Sequence, residues 1–292
     1  MRISDVTFYD LARRNLGEAR SNYASAQERA LSNQRVSKLS EDPVAISAAR
    51  MEKSREVAEE ANLRSSNVGY AALQIADSSL NDFGEVLQQA RERALQALSD
   101  TFSAEDRARA AAEIDAMRDS LVRIANARSG DSFVFAGQKD GEAPFAADGS
   151  FKGDTNVREL EVLPGVSLPV GISAKVFGVG GAGVDPFAEM QNLSASLRAN
   201  DKVTLRSSVG NLDTARRQVL DGRAQIGAQT EAFEVTQSVV QRRQDSAKEA
   251  QTSWVGISQV DALLDLNRTQ QALTDAVQIA SQLPLPGLAS RR

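Results

Sequence analysis

Few residues of the chain could do chemistry, and each such group also has a plainer reading. Gly178-Val179-Gly180-Gly181-Ala182-Gly183 matches the GxGxxG turn that lets backbone amides approach a pyrophosphate. It follows a strand candidate, precedes a helix start and has Asp201 downstream where a ribose-binding acid could stand. That chemistry needs a βαβ unit with a second parallel strand. Nothing strand-like follows, so the run reads as a glycine hinge. Asp140, Glu142, Asp148 and Asp154 offer oxygen ligands for a hard cation, but their spacing is not that of an EF-hand loop, and they read as a solvated loop. Asn192-Leu193-Ser194 and Asn267-Arg268-Thr269 match a glycosylation acceptor pattern, yet both fall on expected helices. There is no Ser-x-x-Lys pair. The 292 residues contain no histidine and no cysteine. Disulfides, thiolate sites, the usual zinc sites and every His-based triad are thereby excluded. No catalytic, cofactor-binding or metal-binding residue is assigned, no cofactor is implied, and the chain does not read as an enzyme.

The charge balance excludes a second class. Lys and Arg number 34 against 39 Asp and Glu, a formal net charge of -5, where a nucleic-acid binder shows a basic excess. Arg91 and Arg93, and Arg216, Arg217, Arg242 and Arg243, interleave with acids and lack neighbouring aromatics for base stacking. No apolar run approaches the 18 or so residues of a membrane span. The first twenty residues show neither an apolar h-region nor a small-residue cleavage site, so no cleaved signal is expected.

What remains is scaffold. Aromatics are only 5%, and the apolar count is mostly Ala, Leu and Val, which suits long, thin helical packing. No proline lies between Pro43 and Pro144, or between Pro186 and Pro284. Leu73, Ala76, Leu80, Phe83, Leu87, Ala90, Ala94 and Ala97 step by threes and fours, and Ala110, Ile114, Met117, Leu121 and Ile124 continue the habit. Leu205, Val209, Leu212, Arg216, Val219, Arg223, Ile226, Thr230, Phe233, Gln237 and Val240 keep the step with polar gaps. Such a period predicts helices that coil around partners. Asp42-Pro43 and Asp185-Pro186 each place an N-cap before an N1 proline, and Ser103 with Asp106 forms a capping box. Gly130 fits a helix stop after Ser129, and Asn200-Asp201 a short inter-helix loop. The helix from Pro43 to about Leu98 would run on the order of 80 Å, so an elongated molecule is expected.

Between these helices the chain turns to breakers and rings. Pro144, Pro164 and Pro169 fall there, and Phe133, Phe135, Phe145, Phe151, Phe177 and Phe187 lie in or beside it. Strands are expected at Ser132–Ala136, Arg158–Leu163, Leu168–Ile172 and Lys175–Val179, with Pro169 demoting its run to an edge. Trp254, the one tryptophan, follows Val240 and Ala247 at heptad spacing and is expected buried at a helix contact, with a subunit-contact role as the alternative.

The fold class is therefore mainly α with a small β-rich insert: an elongated antiparallel helical bundle built from both termini. Five regions are expected: a helical strip and loop over 1–42, core helices over 43–130, the insert over 131–184, core helices over 185–255 and a second strip over 256–292. The strips carry thin seams, Leu11, Leu16, Ala19, Tyr23, Ala26 and Val36 at one end and Leu263, Leu266, Leu273 and Val277 at the other. Each buries too little apolar area alone to offset its ordering entropy. Both are expected to be poorly ordered in a free monomer and to fold on assembly. Leu11, Leu16, Tyr23, Val36, Leu263, Leu266, Leu273 and Val277 are the expected subunit interface.

Four segments, in order, carry a resemblance. Arg35-Val-Ser-Lys-Leu-Ser40-Glu-Asp42-Pro43 resembles the "R-(I/V)-x-x-x-S-D-D-P" loop after the first helix of the flagellin superfamily. Phe133-Val-Phe135-Ala-Gly137 with Pro144-Phe145 resembles the "F-(A/G)-G…P-F" signature of the hook-associated protein 3 family, the FlgL-type hook–filament junction proteins. Arg223-Ala-Gln-Ile-Gly-Ala228, and Ile257 to Asp261 with Leu266 to Leu273, are similar to that family's later segments. Gln138 and Ser132 depart from its usual residues, and the chain ends in Leu283-Pro-Leu-Pro-Gly, whose prolines should stop the last helix. Flagellin itself is the runner-up; its "G-L-R-I-N-x-A-x-D-D" near the first loop and its "Q-A-N" with "P-Q" at the end are both missing here.

The resemblance implies a flagellin trimmed to a helical core with a β-rich outer domain, displayed on the bacterial flagellum. It implies a homo-oligomeric ring of about eleven copies with head-to-tail contacts, seated between hook-associated protein 1 and flagellin. It further implies export without signal cleavage through the flagellar type III channel, a cytoplasmic chaperone on the C-terminal strip, and neither nucleic-acid binding nor membrane insertion. Two other classes stay open at this point: a needle-tip or translocon protein, which would need an apolar inserting stretch, and a nucleotide-dependent enzyme resting on the glycine run.

Overall fold

A computed structural model describes residues 2–181 and 183–282. Six α-helices dominate the described chain: α1 Arg2–Ser32, α2 Pro43–Ala97, α3 Ala104–Ala125, α4 Pro186–Ala199, α5 Lys202–Val255 and α6 Gln259–Gln282. Between α3 and α4 lie two antiparallel hairpins, β1 Arg128–Ser129 with β2 Ser132–Phe133, and β3 Arg158–Leu163 with β4 Val166–Val170. The chain divides into two compact units, residues 1–58 with 242–292, and residues 59–241.

In the larger unit the small-residue seam of α2 is the core. Leu73, Ala76, Leu80, Phe83, Leu87, Ala90, Ala94 and Ala97 are all fully buried. From α5 they meet one apolar heptad column, Leu212, Val219, Ile226 and Phe233. The column beside it is polar and finds polar partners. Arg223 donates to Asp77 (2.9 Å) and Asn81 (2.8 Å), and Gln237 donates to Asn67 (3.1 Å). These pairs run in opposite directions along the two helices, so α2 and α5 are antiparallel. Gly69 supplies a notch for Phe233: a Cβ there would stand 2.5 Å from the ring.

The starts form as their sequences dictate. Asp42 Oδ1 accepts the Ala45 amide at 3.0 Å, Ser103 and Asp106 form a reciprocal capping box, and Asp185 takes the amides of Phe187 and Ala188. Asn200 ends α4 in the left-handed conformation. A buried cation closes the tip of the bundle. Arg107, 4% exposed, donates to Ala97 O (2.8 Å), Ser99 O (2.9 Å) and Asn200 Oδ1 (2.9 Å). It neutralises the carbonyl end of α2 while tying α3 to the α4–α5 turn. Arg107→Met leaves those acceptors unpaired and is expected to cost about 2–4 kcal/mol, read as a lower denaturant midpoint.

Four local expectations are corrected. The third helix stops at Ala125, not at Ser129, because the Asn126 side chain binds the backbone of Phe145 on both sides (3.0 and 2.9 Å); Gly130, at φ 60, turns the β1–β2 hairpin instead. Only Ser132–Phe133 of the 132–136 run pairs as strand, since Phe135 and Ala136 turn inward and are fully buried. Lys175–Val179 is not a strand: Ala174–Phe177 is a 3-10 turn capped by Ser173 and ended by Gly178 at φ 75. Trp254 is exposed, and its neighbour Val255 takes the buried position. Arg158–Leu163 is a strand as expected, and the 168–172 strand lies slightly earlier, at Val166–Val170, after a Pro164-Gly165 tip. Pro169 sits opposite Glu159 in a two-stranded sheet with unpaired outer edges. The expected stop at the terminal prolines falls outside the described residues.

Candidate assembly surface

In the smaller unit, α1 and α6 lie antiparallel, joined by an Arg29–Asp265 ion pair at 2.6 Å near one end. Their contact is thin. Ala26 and Ala262 are the side chains the pair buries fully. Leu16, Tyr23, Leu266 and Leu273 are half-buried along the same stripe. Outside it stand Phe8 and Leu11 on α1 and Val260, Leu263, Leu264, Val277 and Ile279 on α6, each 47–66% exposed. The eight expected interface residues therefore separate. Leu16, Tyr23, Leu266 and Leu273 hold the two strips together; Leu11, Leu263 and Val277 project away; Val36 is buried elsewhere.

Val36 belongs to a clasp at the base of the strips. It packs with Ile46, Ala49 and Val255. Around this cluster the Arg35 amide donates to Val255 O (2.7 Å) and the Ile257 amide to Asn33 O (3.1 Å). The Arg35 guanidinium donates to Trp254 O at 3.1 Å and reaches Asp42 at 3.4 Å. Glu41 accepts the amides of Ser37 and Lys38 (3.0 and 3.3 Å), while Ser40 and Pro43 stay on the surface. Sequence reasoning found Asp42 and Pro43 from the cap pattern but missed the guanidinium: its carbonyl partner is 219 residues away.

Both loop carboxyls are held below their usual range, Glu41 by the backbone amides of Ser37 and Lys38, Asp42 by the amide of Ala45 and then Arg35. A depressed carboxyl stabilises the fold above its unfolded pKa, and that stability is lost as pH falls through the folded value. The clasp should thus weaken from about pH 4 downward. Emission of Trp254, the sole tryptophan, should change over that window, and the change should move in the Asp42→Asn chain.

The expected outer-insert signature proves to be a packing motif. Phe135 and Phe145 are buried; both pack on Phe177, Phe145 also on Phe187, and Phe177 and Phe187 in turn on Phe83, at centroid distances of 4.9–5.7 Å. Pro144 is buried with its carbonyl accepting the Lys152 amide, and Phe133 lies half-buried under the Arg128 guanidinium (4.9 Å). Gly137, at φ 69, passes so near the Asp154 carbonyl that no side chain fits.

The glycine run does not make a phosphate cradle. Asp185 already occupies the first amides of the following helix, and Gln218 binds both the amide and the carbonyl of Val184 beside the run. Among the described residues no parallel strand follows. Asp140 pairs with Arg158 at 2.6 Å, while Asp148 and Asp154 each accept from a residue two positions on. No described helix is long and apolar enough to cross a membrane.

Against this geometry the comparisons with known proteins are specific. Residues 3–140 match the bacterial flagellin N-terminal helical region. Over 263 residues the chain is 25% identical to flagellar hook-associated protein 3 of Escherichia coli, covering 82% of this chain and 83% of that one. Flagellin A of Vibrio cholerae is 28% identical, but over only 51% of this chain and 39% of its own length. Among solved structures, a flagellar hook-associated protein of Vibrio parahaemolyticus superposes with a TM-score of 0.68 at 19% identity, over 74% of this chain and 100% of that one. These matches liken the chain to flagellin-type proteins of the bacterial flagellum. The resemblance to flagellar hook-associated protein 3 extends over 82% of the chain, while the flagellin match spans about half of it.

Proposed function

We propose that this chain is a junction protein of the bacterial flagellum that joins hook to filament by stacking with copies of itself and with its neighbours on either side. The observation that carries the reading is the set of exposed apolar side chains on the α1–α6 pair, seven large ones around a contact that fully buries two alanines among the described residues. One copy alone leaves that area in water; neighbouring copies remove it. In this reading the two strips line the inner tube and order fully on assembly, the antiparallel α2–α5 pair forms the next shell, and the phenylalanine-packed insert faces outward. The five regions read from the sequence, 1–42, 43–130, 131–184, 185–255 and 256–292, are the parts of that arrangement. Head-to-tail contacts leave two different ends, one for hook-associated protein 1 and one for flagellin, with about eleven copies to a ring.

Export through the type III channel, with a chaperone on the C-terminal strip, fits a chain without cysteine whose adhesive faces are its ends. Deleting the gene and inspecting cells by electron microscopy tests the role. Hooks without filaments, with flagellin shed into the medium, is the expected result; normal filaments would refute it.

A further inference from the structure

We infer that the clasp is a register device: it caps the helix breaks at the roots of both terminal strips with one another, so that α1 and α6 zip together from this base outward and neither orders without the other. The device works within one copy of the chain.

The capping is reciprocal. A helix such as α5 ends in carbonyls that its own turns cannot satisfy. The Val255 carbonyl accepts the Arg35 amide at 2.7 Å, and the Trp254 carbonyl accepts the Arg35 guanidinium at 3.1 Å. In return the Asn33 carbonyl, one residue past the end of α1, accepts the Ile257 amide at 3.1 Å, two residues before α6 starts. Gln34 and Gly256 thus form an antiparallel bridge at the centre of the two breaks. The backbone is specialised on both sides of it. Asn33 is in the left-handed region at φ 55, which asparagine tolerates better than most residues. Gly256 lies against the last turn of α5, where a Cβ would stand 2.5 Å from the Thr252 carbonyl.

Contact between the strips is tightest next to this bridge. The two fully buried side chains, Ala26 and Ala262, and the Arg29–Asp265 ion pair all lie in the last two turns of α1 and the first two of α6. Further out the stripe is only half-buried, at Tyr23 and Leu16 and at Leu266 and Leu273, and no described side chain of either strip beyond these is buried. Starting a helix is the costly step, and extending it is not. With both roots held side by side, each added turn of one strip meets the next turn of the other at a local concentration that untethered strips lack. Zipping from the base also selects one register, because a slip by a turn would pull the bridge apart. When the bridge opens, the end of α5 and the end of α1 lose their caps together, and both strips lose their start.

Residue-resolved amide hydrogen exchange on the dilute full-length chain tests the device. In wild type, protection within the strips should be greatest over residues 26–32 and 259–265 and should fall toward both chain ends. Gly256→Ala opens the bridge from the C-terminal side, because its obstacle is main chain. Exchange over residues 26–32, in the other strip, should then quicken about tenfold. Asn33→Val opens the bridge from the N-terminal side, since a β-branched residue is disfavoured in the left-handed region, and exchange over residues 259–265 should quicken by about the same factor. Asn33→Gly keeps the turn and should leave α6 as it is in wild type. Amides around Leu80 and Ile226 should keep their wild-type rates, which separates opening of the clasp from general unfolding; if Gly256→Ala alters them, the comparison of Asn33→Val with Asn33→Gly decides alone. The proposal is overturned if these substitutions quicken only the strip they adjoin, or if wild-type protection is flat along both strips or rises toward the chain ends.

Discussion

A chain carrying aspartate at both Leu263 and Val277 is expected to fold and melt as the wild type does, yet to be missing from the flagellum. Both side chains are about half exposed, 56% and 47%, and neither belongs to the half-buried stripe that α6 turns toward α1. Within one copy the exchange swaps exposed apolar groups for exposed charges, worth a few tenths of a kcal/mol. Between copies it removes the burial of two large apolar groups, about 1.5–3 kcal/mol each, and places an unpaired carboxylate at each position. Every copy in a stack incurs that loss at each neighbour. A fall in incorporation of a hundredfold or more is expected, read by fractionating sheared flagella and by swimming. Leu273→Asp is the informative contrast. Leu273 lies in the stripe between the strips, so that variant should lose helix content as well as incorporation. If the double variant swims normally, α6 does not present its outer face to a neighbour.

The second large effect is expected at Gly137. Its backbone is in the left-handed region, and an added Cβ would overlap the Asp154 carbonyl and stand 2.6 Å from the Asn156 carbonyl. Both obstacles are main chain and cannot rotate away. The same stretch is tied down by the Asp154 amide bonded to Ala136 O at 2.9 Å. Gly137→Ala should therefore cost about 3–5 kcal/mol, a fall of roughly 10 °C in the melting of the larger unit. Gly130→Ala is the control: it also has positive φ, but nothing lies within 4 Å of the added carbon, so only the conformational penalty of about 1 kcal/mol remains. Equal losses at the two glycines would show that the insert yields around residue 137.

The residues that could be read from sequence are those whose partners are near in the chain or repeat with the helix. The seam from Leu73 to Ala97 is buried at every step because period alone decides which face of α2 turns inward. The caps at Asp42, Ser103 and Asp185 are legible because the amides they serve are two or three residues on. Misreadings occur where a distant group decides. Asn126 ends α3 by gripping Phe145, and nothing in the local pattern favours it over Gly130. The run 175–179 has strand composition, yet Gly178 in the left-handed region and the buried ring of Phe177 commit it to a turn.

The candidate site shows the same division. The apolar positions of both terminal strips were evident, but not which of them face each other and which face outward, since two thin helices can present several faces to one another. Val36 is a separate case: it sits in the clasp with Ile46 and Val255 and serves the strips by holding their base. The buried Arg107 and the Arg35 guanidinium carry no local signal, because an arginine bound to carbonyl oxygens looks in sequence like any solvated arginine.

Amide hydrogen exchange on the full chain, free at high dilution and again within purified flagella, bears most directly on the whole picture. In the dilute chain the amides of α1 and α6 should exchange orders of magnitude faster than those of α2 and α5 around Leu80 and Ile226, and in flagella they should become as slow. Equal, strong protection of all four helices in the free chain would contradict it.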